Sequence, residues 1–526
     1  MSRSNYLIKK ANIIDGTGKK SYPGDILIVD DKIKKIGDLK EKGNFNVIDA
    51  ENMWVCPGFI DINNHSDSYW TLFKYPSQES LLYQGITAII GGNCGSSLAP
   101  VIRNQAIDSI RKYVDTSETL FYWDDFSSYY DFLKERRLSL NFGSLVGHNT
   151  IRRSLIGNKI RQLDSKELDQ LKKILDQSMQ SGALGLSTGL VYSHAQIASK
   201  KELIELAKIV KKYNGVYATH IRSEGENLIS SIKEAISIAK TTGVNLEISH
   251  LKACGKDSWP LMDQVLEMIE RARCEQININ FDVYPYTQAG PVLYTLLPGW
   301  VVEGGKQNLM KRLRDPVIRK KIIDEMKQAD FDYGQIMISV SKIPYALPRN
   351  KISQIAKNQE RSSEEVVIDL ILSADDTITT MIELMNKKNV EKALAQAPAI
   401  VSTNGAGYSK EHKKTGDLVH PRCFAGVTKF LKTMIMEGKL LPIEQAVNKL
   451  TGLPAQKYGL IKEIGTIEKN KKADLLILDS KKLSYKSNKL DPFHYSCGIK
   501  DLLINGKPVI VDYELTQERA GRVIKI

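Results

Sequence analysis

GFIDINNHSD, residues 58–67, runs an apolar strand pattern through Phe59, Ile60 and Ile62 and breaks at once into Asn63, Asn64, His65, Ser66 and Asp67. A buried strand whose exit is crowded with polar side chains is the unit of a parallel α/β fold. The same unit recurs in TAIIGG, NFGSLVG, ALGLSTG, GVYATHI, NLEISHL, ININFDVYPY and APAIVSTNG. Amphipathic helical stretches such as SKKELIELAKIVKKY and ENLISSIKEAISIAKTT separate them. Eight strands alternating with helices predict an α/β chain folded as a (β/α)8 TIM-like barrel, with functional residues at the C-terminal strand ends. An open doubly wound sheet is the competing reading, but no GxGxxG follows the first strand.

The chain ends read differently. YLIKKANIIDGTGKKSYPGDILIVDDKIKKIG alternates β-branched runs with turns at Asp15-Gly16 and Pro23-Gly24, and GTIEKNKKADLLILD and IKDLLINGKPVIV repeat that pattern near the C-terminus. We therefore expect residues 1–56 and 466–526 to build one small β-sandwich domain, with the barrel at 57–465 set into it. Residues 289–345, with LLPGWVVEGG and basic helical stretches, read as a small insertion between strands 7 and 8.

Composition narrows the class. The 526 residues are 42% hydrophobic and 26% charged, enough for a large core. No apolar run of membrane-spanning length and no signal-like start is present, so the expected compartment is the cytoplasm. Six scattered cysteines argue against a disulfide framework. The net charge of +13 comes from lysines spread over helical faces, as in KKIIDEMKQ. It suits an anionic small molecule better than nucleic acid or membrane, since no stacking platform or groove-reading motif accompanies it. The oligomeric state is not legible.

The last positions of the strand runs are His65, Cys94, His148, His220, His250, Asp282 with Tyr284, and Asn404. Imidazole and thiolate groups converging from different strands are what a zinc ion requires, and Cys94, His220 and His250 form the expected ligand trio. Three protein ligands leave a coordination position open, as in catalytic sites. Lys252, two residues beyond His250, is placed to hold an anion.

In order along the chain, PGFID, GGNCGSSLAP, LVGHNTIR, GALGLSTGLVY, GVYATHIRSEGENL, ISHLKACG, FDVYPYT, LLPGWVVEGG, HPR, AVNKLTGLPAQKYGL and GTIEKNKKADLLILD resemble the N-acyl-D-amino-acid deacylase (D-aminoacylase) family of the amidohydrolase superfamily. The resemblance covers essentially the whole chain. It implies a zinc-bearing barrel with Cys94, His220 and His250 as the tight metal site, Tyr284 donating to the scissile carbonyl, and Arg422 on the substrate carboxylate. Tyr192 is expected on the substrate wall, where the turn that follows departs from the family in Ser193-His194.

Two departures touch the centre. The family's first strand ends in a His-x-His pair, of which only His65 remains because Asn63 stands in the first place; its eighth strand carries an aspartate where this chain has Asn404. Amides are weak ligands for zinc, so a second metal site is expected to be absent and one Zn2+ retained. An amide cannot replace the proton-carrying aspartate, and such assistance is typically worth about 10²- to 10⁴-fold. His65, Asp67, His148 and Glu224 are the candidate substitutes, with His65 nearest by position. The expected function is a zinc-dependent amidohydrolase that cleaves the acyl C–N bond of an N-acyl-D-amino acid or related metabolite by non-standard proton transfer. The alternatives are a barrel redirected to acyl transfer or rearrangement, and a catalytically impaired metabolite-binding homologue.

Overall fold

Each of the eight apolar runs becomes a strand in the computed structural model, which describes residues 5–40, 43–110, 122–302, 305–329, 331–374 and 378–526. In barrel order the strands are Phe59–Asp61, Ile86–Gly91, Asn141–Ser144 with Val146–Gly147, Gly185–Gly189, Val216–His220, Asn245–Ile248, Ile279–Val283 and Ala399–Val401. Neighbours pair in parallel throughout. The ring closes where Asn64 bridges Gly405 just past the first and eighth strands. The third strand is interrupted at Leu145, whose N–H still reaches Gly91 O at 3.0 Å.

Period-two alternation divides these strands between two cores. Leu186, Leu246, Ile248 and Phe281 join a large cluster with the covering helices, which contribute Leu203, Leu206 and Ile232. Ile60, Ile90, Leu145, Leu184, Ala218 and Ile400 form a separate inner cluster, closed from below by Ala455, Tyr458 and Leu460. Leu246 and Ile248 face the helices, so Glu247 between them points inward, where it is 1% exposed.

The chain ends interleave in one nine-stranded sheet. Its order is Glu514–Leu515, Lys507–Val511, Ile499–Ile504, Leu475–Leu478, Trp54–Pro57, Tyr6–Ile13, Tyr22–Val29 and Lys32–Gly37, with Asn46–Asp49 beside Tyr6–Ile13. Antiparallel pairing of Trp54–Pro57 with Leu475–Leu478 stitches the two termini together. The sheet curls until Ile33 N donates to Lys471 O at 3.0 Å, and Ile8, Ile26, Ile33, Leu475 and Leu503 are enclosed as one core. This is the sandwich expected from the hairpin signals.

The insertion lies between strands 7 and 8 but runs further than 345. Gln288–Ala289 and Ile336–Val340 both pair antiparallel with Thr379–Glu383. One apolar cluster extends from Leu293 to Ile382 and takes in the helices Ile352–Asn358 and Ser363–Ser373. Those helices bury their apolar faces inside the insertion, which moves its end to about residue 383. Among the described residues no helix is long and apolar enough to cross a membrane.

Candidate metal centre

The backbone takes the left-handed conformation at three non-glycine positions around the barrel mouth: Cys94 (φ 52°), His250 (φ 40°) and Asn404 (φ 45°). Each costs roughly 1–2 kcal/mol and persists where surrounding structure enforces it, which is typical of functional sites. They follow strands 2, 6 and 8.

Cys94, His220 and His250 meet there. Their potential ligand atoms all lie within 4.8 Å of one another and all three residues are buried. Cys94 Sγ is 3.3 Å from His250 Nε2, and the two imidazole rings stand edge to face with centroids 4.3 Å apart. One thiol and two imidazoles suit zinc in donor type and number, with a fourth position left for another ligand. The residues present fit the ion.

Behind the trio, Lys252 Nζ is 2.5 Å from Glu224 Oε1, 2.8 Å from His250 Nδ1 and 3.0 Å from His250 O. Glu224 Oε1 also lies 3.0 Å from His250 Nδ1 and 3.5 Å from His220 Nε2. Burial opposes the Lys252 charge, but the Glu224 carboxylate outweighs it and raises the ammonium pKa. Burial and then Lys252 push the His250 imidazole well below its usual range. Lys252, expected to face an anion, is therefore engaged by Glu224 and His250, because it follows His250 by two residues and folds back under it.

The two departures from the family pattern are absorbed by hydrogen bonds. Asn63 Nδ2 donates to Asp282 Oδ2 at 3.1 Å and Oδ1 at 3.3 Å, and Asp282 also accepts from His250 N at 2.9 Å and from Ser402 Oγ. Burial raises the Asp282 pKa against these donors. Asn404 Oδ1 lies 2.9 Å from His65 Nε2, while His65 Nδ1 is 3.4 Å from Ser68 Oγ and the ring stacks on Tyr69.

The remaining candidates separate cleanly. Asp67 accepts the Gly92 N–H at 2.6 Å, and burial raises its pKa to about 6. His148 pairs with Glu202 at 2.8 Å beside Arg152, which binds the same carboxylate; burial keeps its pKa low in spite of Glu202. Neither is brought to the trio. Tyr192 packs the edge of its ring against His220, 5.6 Å between centroids. Arg422, 6% exposed, sits with Cζ 4.6 Å above the Tyr284 ring. Among the described residues its Nε and the Tyr284 hydroxyl are buried without hydrogen-bond partners, and burial raises the Tyr284 pKa, so two donors are held ready for a polar ligand.

Sequence reading missed Ser187, Tyr69 and the cooperation of Glu224 with Lys252. Ser187 carried a signal, being one of two adjacent hydroxyls, with Thr188, inside a fully buried strand, and Glu224 lies four residues after His220.

Models described as amidohydrolase family match residues 46–343 and 364–509. The chain is 27% identical to a D-aminoacylase of Alcaligenes xylosoxydans xylosoxydans, over 98% of this chain and 97% of that one. It is 28% identical to an N-acyl-D-aspartate deacylase of the same organism, over 99% and 95%. A solved D-aminoacylase, described by a binuclear metal centre with one-metal activation and second-metal attenuation, matches 99% of each chain at 27% identity and a TM-score of 0.83.

Proposed function

Because the chain belongs to the amidohydrolase family, we propose that it is a hydrolase of non-peptide C–N bonds that removes the acyl group from an N-acyl-D-amino acid, using a single zinc ion. The observation that carries this reading is the convergence of Cys94, His220 and His250 within 4.8 Å. Relatives similar over nearly their whole length are deacylases of N-acyl-D-amino acids, and redirected acyl transfer, rearrangement and simple binding find no support among them.

Bound to the trio, zinc supplies a Lewis acid that lowers the cost of negative charge on oxygen. Everything else falls to this chain's side chains. The Arg422 guanidinium, planar and permanently charged, takes the substrate carboxylate. The Tyr284 hydroxyl, without a hydrogen-bond partner among the described residues and kept protonated by burial, donates to the acyl oxygen as charge develops. Lys252 and Glu224 together fix the orientation of His250, and Tyr192 does the same for His220 by edge contact.

The proton has to travel without the family's aspartate. His65 is the group suited to carry it: Asn404 Oδ1 can accept from Nε2 and Ser68 Oγ from Nδ1, so both N–H groups of an imidazolium have partners. In this reading the attacking water gives its proton to His65 at Nδ1, the ring nitrogen that Asn404 does not hold, and the same proton passes to the leaving nitrogen. Asn404 orients the ring and does not exchange protons. Asn63 satisfies Asp282, which supports a one-metal site.

The test is hydrolysis of N-acetyl-D- and N-acetyl-L-amino acids by the zinc-loaded protein, followed by release of free amino acid. Turnover of D substrates is the expected result. Turnover of neither series by zinc-loaded protein rejects the proposal.

A further inference from the structure

Cys94 sits in a turn that has no regular secondary structure to hold it, since Gly92 (φ 71°), Cys94 (φ 52°) and Gly95 (φ 78°) are all left-handed. The turn's backbone groups are satisfied from three other parts of the barrel. Ser187, fully buried on strand 4, donates its hydroxyl to Gly92 O and accepts the Gly95 N–H at 3.0 Å. One side chain thereby spans both flanks of Asn93-Cys94. From the loop after strand 1, the Asp67 carboxylate accepts the Gly92 N–H at 2.6 Å. From the helix His148–Ile156, Asn149 N and Thr150 N donate to Gly95 O at 2.8 and 3.3 Å. The space is closed as well: a Cβ on Gly92 would meet Leu145 O at 2.0 Å, and one on Gly95 would meet Gly189 N at 2.8 Å.

We propose that Ser187 and Asp67 are positioning residues for Cys94, tying down the Gly92–Gly95 turn from strand 4 and the first loop so that the thiol is aimed at His220 and His250 before any metal arrives. The inference rests on the reading of that trio as a zinc site. It assigns Asp67 a structural hydrogen bond and no part in proton transfer. Without Ser187 the Gly92 carbonyl and the Gly95 N–H lose their partner in a buried place, and the turn is free to swing the thiol away.

The experiment compares Ser187→Ala, Asp67→Asn and, as a control, Ser139→Ala, which removes a buried hydroxyl bonded to Pro76 O outside the turn. Zinc affinity is read by chelator competition, and thiolate geometry by the charge-transfer absorption of the cobalt-substituted protein. The rate of Cys94 alkylation in chelator-treated protein, mapped by peptide mass, gives a readout that needs no metal. Ser187→Ala is expected to weaken zinc at least about tenfold, alter the cobalt band and speed Cys94 alkylation severalfold. Asp67→Asn shows the same changes to a smaller degree. Ser139→Ala stays within twofold in all three.

The proposal is overturned if Ser187→Ala, or Asp67→Asn should the first not fold, matches the parent in alkylation rate and zinc affinity, or if Ser139→Ala changes as much. A parent protein that binds no zinc refutes the metal reading, and the alkylation rates then decide the positioning role alone.

Discussion

Asn404 Oδ1 and His65 Nε2 lie 2.9 Å apart at the barrel mouth, an amide against an imidazole where the family pattern has an aspartate. An amide can orient the ring but cannot take its proton, and the proposed mechanism therefore assigns the transfer to His65. His65→Gln is expected to lower kcat by about 10²- to 10⁴-fold with little change in zinc content. Asn404→Asp is expected to raise kcat, because a carboxylate then faces the reacting atoms. Steady-state kinetics on an N-acetyl-D-amino acid checks both, and a His65→Gln enzyme within twofold of the parent sinks the assignment.

Arg422 and Tyr284 predict a split between substrates. Replacing Arg422 by Lys or Met removes a planar charged donor whose hydrogen bonds are worth about 1.5–3 kcal/mol, or roughly 10- to 100-fold in kcat/KM. That loss should appear with N-acyl amino acids and nearly vanish with their carboxamides. Equal losses on both substrate types rule out a carboxylate-binding role.

The Lys252–Glu224 pair is nearly dry, with side chains 8% and 14% exposed. Glu224→Gln leaves an uncompensated ammonium beside His250 and is expected to cost about 3 kcal/mol in urea unfolding, with weakened zinc binding. Combining it with Lys252→Met should recover part of the stability, since the stranded charge is gone. A double variant less stable than Glu224→Gln contradicts this.

Asp474 links stability to pH. Burial raises its pKa from 3.8 to about 6, against the Asn505 N–H and the Asn141 amide that it accepts. The folded state therefore holds its proton more tightly than the unfolded chain. The resulting stability is fully present below about pH 4 and is lost as pH rises through about 6, at most about 3 kcal/mol. Asp474→Asn should flatten unfolding free energy across that window relative to the parent. An unchanged slope contradicts the shift.

Most of the barrel was legible because its strands are short apolar runs ending in polar exits, a local pattern. The grouping of Cys94, His220 and His250 was legible for the same reason, since thiol and imidazole stand at strand ends. The end of the insertion was not, because the helices Ile352–Asn358 and Ser363–Ser373 have the amphipathic pattern of barrel helices and only long-range pairing of Thr379–Glu383 with Ile336–Val340 reveals where they belong. The partners of Lys252 were hidden in a similar way. Its spacing from His250 is visible, but its engagement by Glu224 depends on contacts across two strand exits.

Zinc stoichiometry tests the central claim most directly. Protein loaded with zinc, dialysed and analysed for metal should hold one equivalent per chain, and Cys94→Ala should hold none, since the proposed one-metal site counts the amides of Asn63 and Asn404 as too weak to hold a second ion. Two tight equivalents, none at all, or one retained without Cys94 would contradict a single zinc on Cys94, His220 and His250.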